Sequence, residues 1–262
     1  MSMLGFEQLK RLHDKKGRDE LGYFLAEGEH LVLELVRAAQ HTPALRGATI
    51  LAAHEYQAAI TDAGNASSLP LQRISAKQIA ALSDTRNPQG IIAVIPIVPP
   101  PAPRAGERCI YLHEIQDPGN LGTILRTLGW FGNFRCLLSP QSVDLYNSKV
   151  VRASMGAIFH VPVERDVVAE SLSGRFEHLA LLDLDGTSIE APEFRTFDGY
   201  VFGNEARGLP DDLRARLGAK VFSIPGERRI ESLNLATAVN ICAYELTRGA
   251  PITSNDSPIT KA

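Results

Sequence analysis

The chain is poor in sulfur and in large aromatics, with 3 Cys, 3 Met and 1 Trp in 262 residues. Cys109, Cys136 and Cys242 lie far apart in apolar surroundings. That scatter excludes a disulfide framework and a zinc set, and it fits buried thiols in a reducing, cytoplasmic setting. His30, His113 and His160 show no ligand spacing, so no metal is expected. Long apolar runs are missing as well, which excludes a helical membrane span. The opening MSMLGFEQLKRLHDKKGRDE is amphipathic and charged, without the apolar region of a signal peptide. Positive charge is not in excess: 27 Lys+Arg against 30 Asp+Glu gives a net charge of −3. This argues against bulk electrostatic capture of nucleic acid, while a local basic face could still bind it. Lys10, Arg11, Lys15, Lys16 and Arg18 offer one, diluted by Asp14, Asp19 and Glu20. Glu114 and Asp117 lack the partner acid of a glycoside hydrolase. Neither a P-loop nor the three-glycine dinucleotide fingerprint occurs, which argues against a dinucleotide-dependent oxidoreductase.

What is present is enough apolar residue, 44%, to bury a sizeable core. The periodicity predicts a short helix through Phe6, Leu9 and Leu12, broken at Lys15–Arg18. Strands are expected at 23–26, 49–53, 71–74 and 91–98, with helices over 31–39 and 75–82 between them. Pro99-Pro100-Pro101-Ala102-Pro103 cannot join a sheet ladder, so a linker is placed at 99–105 between domains 1–98 and 106–250. In the second domain, strands at 109–115, 135–138, 160–163, 179–184, 200–203 and 220–224 alternate with helices over 121–132, 149–155, 167–172, 210–217 and 234–247. Such alternation implies an α/β fold with a mostly parallel sheet and ligand loops at the strand ends. Residues 251–262 are polar and read as a flexible tail.

Three loops of the second domain carry chemistry-bearing residues. Asp117-Pro118-Gly119-Asn120-Leu121-Gly122 leaves a strand and opens a helix whose free N–H groups suit anions, with Arg126 about two turns in. Taken alone, Asn120 reads equally well as a helix cap and Arg126 as a surface residue. Gly203-Asn204-Glu205-Ala206-Arg207-Gly208 again leaves a strand, and its glycine-bracketed carboxylate suits loop locking or simple turn chemistry. Ser223 to Glu245 runs from a strand end through Pro225-Gly226 to Ser232-Leu233-Asn234, two cap-type side chains ahead of a helix rich in alanine. It reads as one wall of a tightly built pocket, or as an ordinary capped helix. Lys149 and Arg152, three apart on one helix, are placed to touch RNA backbone or to face solvent.

In this order the pieces NLGTILRT, SKVVRASMGA, GNEARGL and SIPG…SLNLATA resemble the SpoU class of the SPOUT superfamily, the S-adenosylmethionine-dependent RNA 2′-O-ribose methyltransferases. KGRDELGYFLAEGEHLV and SDTRNPQGIIAV resemble the small α/β RNA-binding module that often precedes this catalytic domain. The resemblance implies a C-terminal parallel-sheet domain closed by a trefoil knot, a smaller N-terminal α/β RNA-binding domain, and a homodimer with sites completed near the subunit interface. It implies S-adenosyl-L-methionine as cofactor, lined by Gly203, Ile224 and Leu233. Arg126, Asn120, Glu205, Ser232 and Asn234 are the implied catalytic set. Arg126 stays protonated, so it suits an RNA phosphate and a developing oxyanion rather than a base role. Lys15, Arg18, Lys149 and Arg152 are the candidate RNA contacts. The substrate implied is structured RNA, rRNA ahead of tRNA. Methylation of a base atom, or RNA binding without catalysis, are the competing readings. The charged loop Gly226–Arg229 departs from the family's usual pattern.

Overall fold

The computed structural model describes residues 4–54, 56 and 69–249, which build two sheets. The first has β1 (Tyr23–Glu27), β2 (Thr49–Ala53), β3 (Leu71–Ile74) and β4 (Ile91–Pro96), in the order β1-β4-β2-β3. β4 runs antiparallel to both neighbours, while β2 and β3 are parallel. The apolar run of β4 is explained by its central place, because successive side chains leave opposite faces. Ile91, Ala93 and Ile95 pack under the helix Glu29–His41 with Leu31, Leu35 and Phe24. Ile92 and Val94 face Leu9, Ile79 and Leu82 on the helices Phe6–Arg11 and Ala76–Leu82.

The second sheet has β5 (Arg108–Leu112), β6 (Phe134–Leu138), β7 (Val163–Glu164), β8 (Leu179–Ser188), β9 (Gly199–Phe202) and β10 (Lys220–Ser223). All its pairings are parallel, in the order β10-β8-β9-β5-β6-β7. Helices cover both faces, as a parallel sheet requires. Ile110 and Leu112 point to the face under Pro118–Phe131 and Leu235–Thr247. Cys109 and Tyr111 point to the other, under Leu172 and the helix Asp211–Leu217. After β10, at the sheet's edge, the chain returns to lay its last helix against Pro118–Phe131.

The two sheets are joined by a polar and apolar seam. The Arg18 guanidinium is buried against Asp144 at 2.6 Å and also donates to the Leu12 and His13 carbonyls. Phe24 stacks on Tyr146 with ring centroids 4.6 Å apart. Arg135, a buried residue of β6, donates to the Pro101 carbonyl and so pins the proline run.

Several expectations are corrected. Lys15–Leu21 is a second helix, not a break. A Cβ on Gly17 would lie 1.9 Å from the Arg11 carbonyl oxygen, so glycine there serves close packing of two short helices. The expected strand at 160–163 shrinks to Val163–Glu164, because Ala157–Phe159 winds into a 3₁₀ turn. β8 runs on to Ser188. Helix 118–131 starts at Pro118, where proline's missing N–H costs nothing, and Asp117 caps it. The tail expected at 251–262 lies outside the described residues. Among the described residues, no helix is long and apolar enough to cross a membrane.

Candidate functional site

The three loops meet at the carboxyl ends of β5, β9 and β10, where a parallel sheet places its ligand crevice. Asp117 takes the Asn120 amide onto its carboxylate at 2.7 Å, fixing the first turn of helix 118–131. This leaves the Asn120 side chain free to act between loops. Its Nδ2 donates to Glu205 Oε1 at 3.3 Å, and its Oδ1 accepts from Asn234 Nδ2 at 2.9 Å. Glu205 also accepts from the Gln116 and Asp117 backbone amides, at 3.3 and 3.4 Å. Asn234 in turn caps the last helix, its Oδ1 taking the Thr237 amide at 3.2 Å. Residues 85 and 114 positions apart are thus joined in one relay, Glu205–Asn120–Asn234.

The loop holding Glu205 is folded tightly on itself. Asn204 and Gly208 exchange two backbone bonds of 2.9 Å, and Asn204 Oδ1 gathers the Ala206 and Arg207 amides. A Cβ on Gly203 would lie 2.4 Å from the Gly208 carbonyl carbon, so only glycine admits this turn. The loop is tied to the exit of β5 through Asn204 Nδ2 to the Glu114 carbonyl at 2.7 Å and Arg207 to the Glu114 carboxylate at 2.7 Å. Glu114 holds φ at +47° to make both contacts. Beside it, burial holds the His113 imidazole below its ordinary pKa against the opposing pull of Glu114, so the ring stays neutral near pH 7.

Next to the relay lies a cleft of about 700 Å³, within the usual size of small-molecule sites. Gly203, Ile224, Ser232 and Leu233 line it, as does Glu205. Its walls suit S-adenosylmethionine: the Ile224, Leu233, Leu235 and Ala238 side chains offer apolar surface to an adenosyl group, and the Gly203–Leu209 and Pro225–Gly226 backbones face the same space.

Of the expected site residues, Asn120, Glu205 and Asn234 are brought together by direct bonds, and Gly203, Ile224, Ser232 and Leu233 by the cleft. Arg126 is not among the cleft's lining residues: it stands exposed on the outer face of helix 118–131, on the side shared with Thr123 and Trp130. The RNA contacts divide. Lys149 is exposed. Lys15 is exposed but paired with Asp19 at 2.6 Å, and Lys10, Arg11 and Lys16 also sit beside acids. Arg18 is corrected from RNA contact to buried seam residue, because its guanidinium is buried and bonded to Asp144 and two carbonyls. Arg152 faces the seam between the sheets, and its buried Nη1 has no partner among the described residues.

Sequence reasoning missed Asp117, Asn204, Arg207 and Glu114 as organisers. Asp117 carried a readable signal, an acid directly before a proline at a helix start. Glu114 carried none, since its contact with Arg207 spans 93 positions. Among the described residues, no three His, Cys, Asp or Glu side chains converge as a metal site would need.

Strand order, crevice and cleft define the class, an α/β protein whose parallel sheet holds a small-molecule site at its carboxyl ends. The chain belongs to the SpoU rRNA Methylase family, whose model matches residues 107–244. A second model, the MRM3-like substrate binding domain, matches residues 7–93. The chain is 33% identical over 253 residues to an uncharacterised tRNA/rRNA methyltransferase of Synechocystis, covering 92% of this chain and 90% of the relative. It is 28% identical over 246 residues to the 23S rRNA (guanosine(2553)-2′-O)-methyltransferase RlmP of Bacillus subtilis, covering 90% and 93%. An AdoMet-bound rRNA methyltransferase from Sinorhizobium meliloti superposes with a TM-score of 0.73 at 29% identity, over 93% of this chain and 94% of that one.

Proposed function

We propose that this chain methylates the 2′-hydroxyl of one ribose in structured rRNA, with the relay Glu205–Asn120–Asn234 as the frame of the site. One observation carries the reading: Glu205 belongs both to the relay and to the wall of the cleft. S-adenosylmethionine supplies a methyl carbon made electrophilic by the adjacent sulfonium. The protein's task is then alignment of the ribose oxygen with that carbon, where position is worth orders of magnitude in rate. Glu205 accepts two backbone N–H groups and one amide, so it braces the loops rather than taking a proton. Asn120 and Asn234 hold the two helix starts in register. Ser232 lines the cleft and is exposed, where its hydroxyl orients the incoming ribose.

Arg126 enters from a subunit interface. It lies one turn from Trp130, which is 82% exposed, and the neighbouring final helix exposes Tyr244 by 55%. Two large aromatics left in water on packed helices support a second copy of the chain covering this face. The dimer sets Arg126 at the boundary, beside a site where it binds an RNA phosphate and stabilises the ribose oxygen as it gains charge. The return of the chain from β10 to helix 118–131 supports the trefoil threading. The reading keeps the division at 1–98, 99–105 and 106–250, and a cytoplasmic location in line with three free, buried thiols.

The test is transfer of labelled methyl to rRNA and to tRNA, with the product nucleoside identified by mass spectrometry. Arg126→Ala is expected to lower the rate by about 10²- to 10³-fold with unchanged melting temperature. A near wild-type rate would remove Arg126 from the chemistry. Label on a base, or in tRNA alone, would overturn the substrate assignment.

A further inference from the structure

The cleft has a strap that alignment of methyl and ribose does not require. β8 and β10 slip in register: Val221 pairs with Leu181, while the next residue, Phe222, pairs with Thr187. Residues 182–186 of β8 are therefore skipped by β10, far more than the single extra residue of an ordinary bulge. Leu182 still pairs with Phe202 of β9, but residues 183–185 stand out as an arm along one side of the cleft, with Leu184 52% exposed. The loop from Pro225 to Leu233 lines the other side, with Ile230 69% exposed.

Arg228 bridges the two. Its Nη1 donates to Asp185 Oδ1 at 2.6 Å, and its Nη2 donates to the Leu184 carbonyl. Its backbone sits at φ +54°, in the left-handed region that disfavours any residue with a Cβ. The chain thus holds a bulky residue in a glycine conformation, and from there its guanidinium reaches the opposite arm. Both partners face water, with 50% and 92% of the side chains exposed, so the pair adds little to the stability of the fold. Leu184 and Ile230 line the cleft on clasped arms yet remain exposed, as lips that an occupant would cover.

We propose that the Arg228–Asp185 clasp is a strap across the mouth of the cofactor cleft, and that Arg228 is a positioning residue governing entry and release of S-adenosylmethionine. The inference rests on the cofactor reading above. With the clasp closed, the lips pack on the bound adenosyl group. With it open, the arm and the loop part and the cofactor exchanges.

The experiment is pulse–chase dissociation of labelled S-adenosylmethionine from the full chain, with Asp185→Asn, Arg228→Gly and Arg228→Lys beside wild type. Asp185→Asn and Arg228→Gly are expected to release the cofactor about fivefold faster, the scale of one exposed charge pair. Arg228→Lys, which keeps the charge but not the fork, falls between them and wild type. Melting temperatures do not fall, and Arg228→Gly gains slightly from the relief of its positive φ. Raising the salt speeds release from wild type and leaves Asp185→Asn where it was, because screening acts only on an intact pair. Release at the wild-type rate from both fast variants overturns the strap while leaving the cofactor reading intact. A wild-type chain that does not bind S-adenosylmethionine in a calorimetric titration overturns both.

Discussion

Replacing Asn120 by alanine removes the middle of the relay and leaves its two ends in place. The lost bonds are one to the Glu205 carboxylate at 3.3 Å and one from Asn234 at 2.9 Å. A bond to a charged group is worth about 1.5–3 kcal/mol and a neutral one about 1. The first is long and the second exposed, so their sum falls to about 2 kcal/mol. The backbone cap from Asp117 to the Asn120 amide survives the substitution, so helix 118–131 still starts in the same place. The assay is urea unfolding of Asn120→Ala, Asn234→Ala and the double variant. A real link makes the double variant about 1 kcal/mol more stable than the sum of the single losses predicts. Additivity within about 0.5 kcal/mol would show that the two loops do not depend on each other, and the frame argument would fail. Methyl transfer should fall further than stability, by about 10²-fold, because a shift of about 1 Å in a reacting group costs that much.

Arg18→Ala leaves Asp144 buried without its partner, and the loss should be about 3–5 kcal/mol, read by calorimetry; a cost under about 1 kcal/mol would contradict the seam. Gly203→Ala forces a Cβ to within 2.4 Å of the Gly208 carbonyl carbon, so cofactor affinity should drop at least tenfold by titration. Burial pushes the Cys109 thiol up to about 11, and raises Cys136 and Cys242 as well. A raised thiol pKa favours the neutral form, so at pH 8 all three should resist a disulfide reagent until the protein is unfolded. Rapid reaction of any one in the native state would refute that.

The loops of the site were readable because their signals are local. A glycine needed for a turn, an Asn ahead of an apolar run, and a proline at a helix start each act within a few residues. So the strands leading to Glu205 and Asn234 were placed within one residue, while the strand leading to Asn120 ends at Leu112, three residues before the expected Ile115. What joins them was hidden, since Glu205 and Asn120 meet only after the sheet is ordered β9 beside β5. In the basic stretch from Lys10 to Arg18, Arg18 misled for the same reason. Its charge read as part of a face for RNA, but folding sets Asp144, from the other half of the chain, against it and buries the pair. The Lys15–Leu21 helix was lost to Gly17, whose low helix propensity is overridden by the approach of the Arg11 backbone. The arm of β8 had no signal of its own, because its register slip is set by β10, more than thirty positions on.

One site is assembled from segments that the chain keeps far apart. Its most direct test incubates the protein with unmodified rRNA and labelled S-adenosylmethionine, then locates the label by nuclease digestion and mass spectrometry. One 2′-O-methylated nucleotide at a single rRNA position, lost with Glu205→Ala while the protein stays folded, is the result expected. Binding of the donor without any ribose methylation, or full activity without Glu205, would contradict it.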